Sequence, residues 1–185
     1  MLGKTPFLDV NFQVAIEFLP PWEKHLFSEI VFIQNKEAVW KAICNNQCYA
    51  TSDGSAPKEQ GSFAWINSYN LGDCLARCSG PVFGYAISSF RAESYRLISI
   101  LRFLLHVSHW HKKLDKQLHS LHIVRDSQGL IKTIAKLQVY PHIFPNATMD
   151  AEWDCLAQIW STICDLDVFS PTLKHVKGHQ DEQTP

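Results

Sequence analysis

Residues 48–67 read CYATSDGSAPKEQGSFAWIN. A short run of strand-forming residues ends at Asp53, a turn-rich GSAPKEQ follows, and a second run begins at Gly61. Two such runs at close spacing predict an antiparallel hairpin. Taken alone, Asp53 opens a turn, because Asp and Gly are both favoured there. The end of a strand is also where a sheet can hold a carboxylate at its rim. The rest of the chain decides between the two.

Downstream, CLARCSG (74–80) predicts a third strand, completing an antiparallel meander. A long helix is expected from about Ala92 to about Val107. LHIVRD (121–126) predicts a fourth strand. SQGLIKTIAKLQVY (127–140) predicts a helix with Ser127 as its cap, and TMDAEWDCLAQIWSTICDL (148–166) another. TLKHVKGH (172–179) predicts a fifth strand and the loop after it. Strands joined through helices run parallel, so the expected fold is α/β. Its sheet is mixed and five-stranded, three antiparallel strands then two parallel, flanked by helices. Upstream, VNFQVAIEF (10–18) alternates apolar residues and predicts a half-buried strand. LPPWEKHLF interrupts it, and NKEAVWKAI (35–43) predicts a helix capped by Asn35. Residues 1–46 are expected to be an appendage, or the tail of a preceding domain, and 47–185 the main domain.

At 185 residues and 46% hydrophobic content, the chain can bury one substantial core. Its 17 Lys+Arg balance 18 Asp+Glu, so a site for a polyanion would have to supply its own cations. No apolar run is long enough to span a bilayer, and no membrane role is expected. SYRLISILRFLLHV carries Arg96 and Arg102 and reads as a buried helix. None of the six cysteines forms a C-x-x-C pair. Free buried thiols are expected, which suits a reducing, intracellular compartment; nothing distinguishes cytoplasm from nucleus. HWHKKLDKQLH (109–119) is basic and reads as a solvated helix end and loop.

Three carboxylates stand in related places. Asp53 and Asp126 each end a strand. Glu93 is expected in the first turn of the long helix, heading the face of Leu97, Ile100, Leu101 and Leu104. A carboxylate on a buried face is costly unless compensated. A divalent cation compensates it, and Mg²⁺ prefers oxygen ligands. Two such ions can clamp the attacking and leaving oxygens of a phosphodiester. Each acid alone is better explained as a turn, helix-start or helix-dipole residue; their ordered occurrence favours a joint role.

The stretches SDGSAPKEQGSFAW, SSFRAESYRLISIL, IVRDSQGLI and LKHVKGH, in this order, resemble the type 1 ribonuclease H family. The longer strings also look like the ribonuclease H part of retroelement reverse transcriptases. In that setting 1–46 would join a polymerase to the nuclease, and a reverse transcriptase domain would be a partner in the same polyprotein. The resemblance implies cleavage of the RNA strand of an RNA–DNA hybrid, leaving 5′-phosphate and 3′-hydroxyl ends. It implies Asp53, Glu93 and Asp126 as catalytic ligands of two Mg²⁺ ions, with Mn²⁺ as a substitute. His179 matches a catalytic loop histidine that assists proton transfer and product release. Gln128 matches a substrate-contacting position, and the backbone around Gly54 and Ser55 would approach the sugar carrying the 2′-hydroxyl that marks RNA.

Three departures accompany the resemblance. The family's fourth carboxylate lies beyond the loop histidine; Asp181 and Glu182 come too early for it, and the chain reads as C-terminally truncated, without the last helix. Ser89 and Phe90 stand where bacterial relatives have an Asn pair. VYPHIFPNATMD is not basic where some relatives carry a basic protrusion. Two other readings follow: a different nuclease or strand-transferase on the same fold, and a non-catalytic nucleic-acid-binding or structural remnant.

Overall fold

The computed structural model describes residues 12–55, 60–69, 72–111, 119–125, 127–139, 147–149, 151–166 and 169–175. The meander is β2 (Cys48–Ser55), β3 (Gly61–Tyr69) and β4 (Asp73–Val82). A 23-residue helix, α4 (Ser89–His111), leads to β5 (His119–Arg125). Then come α5 (Gln128–Val139), α6 (Trp153–Asp165) and β6 (Phe169–His175). The sheet order is β1-β4-β3-β2-β5-β6, where β1 is the two-residue edge strand Val31–Phe32. β2 and β3, and β3 and β4, pair antiparallel, while β2–β5 and β5–β6 pair parallel. These five strands make the expected mixed sheet, three antiparallel and then two parallel. β1 is added outside them, with Val31 opposite Arg77.

The segment before β2 differs from its sequence pattern. The alternation at 10–18 predicts a strand, but Phe12–Glu17 forms the helix α1. A second spacing in the same stretch prevails. Ile16 and Leu19, three apart, pack inward as on a helix face, while Val14 and Phe18 stay exposed. The short helix α2 (Pro21–Lys24) begins with Pro21 at its first position, where the missing N–H costs nothing. A 3₁₀ turn, His25–Phe27, follows. The helix α3 (Lys36–Cys44) starts as expected, with Asn35 Oδ1 accepting from Ala38 N–H at 2.8 Å. Leu19, Leu26, Phe27, Ile30, Val39 and Ile43 belong to the same buried cluster as the sheet and α4.

α4 is central and buried almost all round from Ala92 to Ser108; Ser89 at its start and His109 near its end are exposed. Trp65 of β3 donates its indole N–H to Ser99 Oγ at 2.8 Å and packs on Phe103, 5.0 Å between ring centroids. Phe63 packs on Tyr95. The residues meeting β3 are therefore Tyr95, Ser99 and Phe103. The stripe of Glu93, Leu97, Ile100 and Leu104 is buried beside them. A helix enclosed on most sides has no single apolar face for periodicity to pick out.

Candidate active site

β2 and β5 are parallel neighbours, with Tyr49–Thr51 opposite His122–Val124. Parallel strands end on the same edge, so Asp53 of β2 and Arg125 at the end of β5 belong to one edge of the sheet. Asp53 lies within β2, registered opposite Ala64; Gly54 and Ser55 lie opposite Phe63 and Ser62. On β3, Phe63 and Trp65 are buried toward α4, and Ala64 between them is exposed. The turn after Asp53 therefore comes later than the hairpin pattern suggests, because pairing continues to Ser55. Asp126 and His179 lie outside the described residues. Gln128 is exposed as the first residue of α5.

Glu93 departs from expectation in one respect. It is not in the first turn. Ser88 Oγ accepts from Arg91 N–H at 2.9 Å and starts α4 at Ser89, ahead of the expected Ala92. That leaves Glu93 at the fifth helical residue, where the helix dipole offers it little. It is buried, at 8% exposure, and ion-paired to Arg96, which is 1% exposed. The compensation that its burial demands is at least in part the chain's own. Sequence reasoning passed over Arg96, although an Arg three residues after a Glu on one helix is a signal for such a pair.

The candidate ligands are all carboxylates, hard oxygen donors of the type Mg²⁺ or Mn²⁺ takes. By donor type they fit such an ion, and a cation at Glu93 would share the carboxylate with Arg96. Among the described residues, Glu152, Asp154 and Cys155 bring ligand atoms within 4.8 Å of one another. Their centre is already served by Arg91, whose guanidinium pairs with both Glu152 and Asp154. Hydrogen bonding to Arg91 holds the Asp154 carboxyl below its ordinary range, against the opposing effect of partial burial. The Asp154 bond, in turn, raises Arg91 well above its ordinary value. A groove of about 340 Å³ adjoins this knot, walled by Trp22, Phe83, Tyr95 and Ile98.

No family model matches the chain, and no curated protein matches it. Solved structures do. One is the RNase H1 of the halophilic archaeon Halobacterium salinarum, at 15% identity over 74% of this chain and 89% of that one, TM-score 0.48. LC11-RNase H1 in complex with an RNA/DNA hybrid matches at 13% identity over 71% of this chain and 86% of that one, TM-score 0.48. The RNase H domain of prototype foamy virus matches at 14% identity over 75% of this chain and 84% of that one, TM-score 0.47.

Proposed function

We propose that the chain is a metal-dependent endoribonuclease that hydrolyses the RNA strand of RNA–DNA hybrids, leaving 5′-phosphate and 3′-hydroxyl ends. One observation carries the reading: Asp53 and the β5 end preceding Asp126 share one sheet edge by parallel pairing, and the third acid, Glu93, is buried near the start of the central helix.

In this reading Asp53, Glu93 and Asp126 hold two Mg²⁺ ions, or Mn²⁺ in their place. Bound there, the ions supply an activated water and charge neutralisation at the leaving oxygen. Gly54 and Ser55 let the backbone approach the ribose, and Gln128 stands exposed to meet the hybrid. His179 assists proton transfer, a role an imidazole suits near neutral pH. Residues 1–46 join this unit to a neighbouring domain such as a reverse transcriptase, in a reducing intracellular compartment.

The second reading, a non-catalytic remnant, draws on the Glu93–Arg96 pair, because a carboxylate already neutralised by a buried Arg needs no ion. Incubation with an end-labelled RNA–DNA hybrid and Mg²⁺ separates them. Cleavage by the wild type, lost in Asp53→Asn, is the expected result. Absence of cleavage by the wild type overturns the enzyme reading. Cleavage that persists in Asp53→Asn overturns the site.

A further inference from the structure

Arg91 stands two residues before Glu93 and gathers three separate parts of the chain. Its Nε–H donates to the Phe83 carbonyl oxygen, just past β4, at 2.6 Å. Its Nη1 meets Glu152 and Asp154 Oδ1, the latter at 3.1 Å, and its Nη2 meets Asp154 Oδ2. The backbone N–H of Arg91 and the Glu152 carboxylate both bond Ser88 Oγ, the latter at 2.7 Å. Gly84 lies against the guanidinium so closely that a Cβ there would collide with Arg91 Nε and Cδ. The central carbon of the guanidinium lies over the Tyr95 ring, 5.6 Å from its centroid.

The backbone yields to this arrangement. Glu152 takes a left-handed conformation, φ 61°, which non-glycine residues adopt rarely. That break ends the predicted helix over 148–166 early on its N-terminal side, so α6 begins only at Trp153. A conformation of this kind persists when its surroundings over-determine it, and here the surroundings are Ser88 and Arg91. The side-chain exposures of Arg91 and Glu152 are 13% and 15%. Charge-assisted bonds at that depth are stronger than surface pairs. A fork-shaped guanidinium suits the task, since one planar group can serve two carboxylates and a carbonyl at once.

We propose that this Arg91 clasp is a positioning device for Glu93. It ties the end of β4, the first turns of α4 and the start of α6 into one rigid corner. The helical residue two places further on then stands at a set height and rotation over the sheet edge where β2 and β5 end. Arg91 does not touch the carboxylate; Arg96 does that from the next turn. The clasp acts through the helix backbone. The inference rests on the reading of Glu93 as a metal-holding residue, but the mechanical part of it can be tested separately.

The test uses the full chain, with Arg91→Ala, Arg91→Lys and Glu152→Gln beside the wild type. Amide hydrogen exchange reads the clasp itself. Residues 90–97 are expected to lose protection selectively in Arg91→Ala, while the later turns of α4 and strand β3 keep theirs. Mg²⁺ titration, followed by calorimetry, reads the consequence. Half-saturation is expected to rise about tenfold, the usual cost of removing a support behind a ligand. In hybrid cleavage kcat should fall by about as much, with KM within about twofold, since Arg91 does not meet substrate. Arg91→Lys should recover part of both losses. Glu152→Gln, which keeps Arg91 and guards against failure of the alanine variant to fold, should shift exchange and Mg²⁺ binding the same way by less. Unchanged protection at 90–97, or a uniform loss over the whole chain, overturns the proposal. Selective loss of protection with unchanged Mg²⁺ affinity overturns the link to Glu93. A wild type that binds no Mg²⁺ overturns the metal reading, while the exchange experiment still decides the clasp.

Discussion

The hydroxyl of Ser99 donates to the carbonyl oxygen of Leu26 at 2.8 Å, although the two residues lie 73 positions apart. The same oxygen of Ser99 accepts the indole N–H of Trp65. Cys78 adds its thiol to the Leu26 carbonyl at 3.3 Å. One buried serine thus connects the central helix, the meander and the segment that precedes the sheet.

Removing that hydroxyl strands a buried indole N–H. Ser99→Ala is expected to cost about 1–3 kcal/mol, the penalty for an unsatisfied buried donor. Ser28→Ala, whose exposed hydroxyl bonds the His25 carbonyl, should stay within about 0.5 kcal/mol. Urea unfolding midpoints at constant slope check both.

Glu23 couples the same segment to α4 electrostatically. It is 2% exposed and meets Arg102 Nε and His106 Nε2, each at 2.7 Å. Burial alone would raise its carboxyl, but His106 and Arg102 outweigh it and hold the pKa below 4.5. A carboxylate with a depressed folded pKa contributes stability that is complete above its unfolded value. That contribution is lost as pH falls through the folded value. Glu23→Gln should therefore cost about 3 kcal/mol at neutral pH. The gap to wild type should close progressively as pH drops below 4.5. A gap that widens with acid would contradict the assignment.

Phe103 is 1% exposed and touches Trp65 on one side and Phe32 of the edge strand on the other. Phe103→Ala should destabilise by about 3–5 kcal/mol, and Phe103→Leu by clearly less, because cavity cost follows lost volume. Thermal unfolding of the two variants gives the comparison.

Thiol reactivity should sort by burial. Cys48, Cys78 and Cys155 are buried, and burial pushes each pKa up to about 12. Cys164 is exposed. In native protein near neutral pH, iodoacetamide should label Cys164 first and leave those three unmodified. All six should react after denaturation, since none is held in a disulfide. Peptide mapping by mass spectrometry reads the order, and early labelling of Cys48 would refute it.

How much was legible beforehand differs by element. The meander, α5 and the two parallel strands follow from residue type and spacing between turn signals, and α4 from a long apolar run that carries arginines. The stretch at 10–18 supports two periods at once, and local alternation cannot tell which one packing will reward. Glu93 was legible as a buried acid from its place above an apolar stripe, but it lies past the first turn of α4, because the helix starts earlier than its pattern suggests. Its partner Arg96, and the clasp at Arg91, were not, since Glu152 and Asp154 lie about sixty residues from Arg91 in the chain.

From residue 48 onward the sequence alone thus determines the order of strands and helices, and throughout it determines the residue types available for chemistry: three acids in order, a histidine at 179, six cysteines with no C-x-x-C pair. It does so because periodicity and turn chemistry are local. The tertiary structure decides which charges meet. It places a guanidinium beside Glu93, binds Glu152 and Asp154 to Arg91, and buries Glu23 between Arg102 and His106. Those pairings depend on the distances at which helices cross and strands end, and no local pattern encodes such distances. A buried charge takes whatever partner the packing brings within reach, because leaving it unpaired costs more than any local preference can offset.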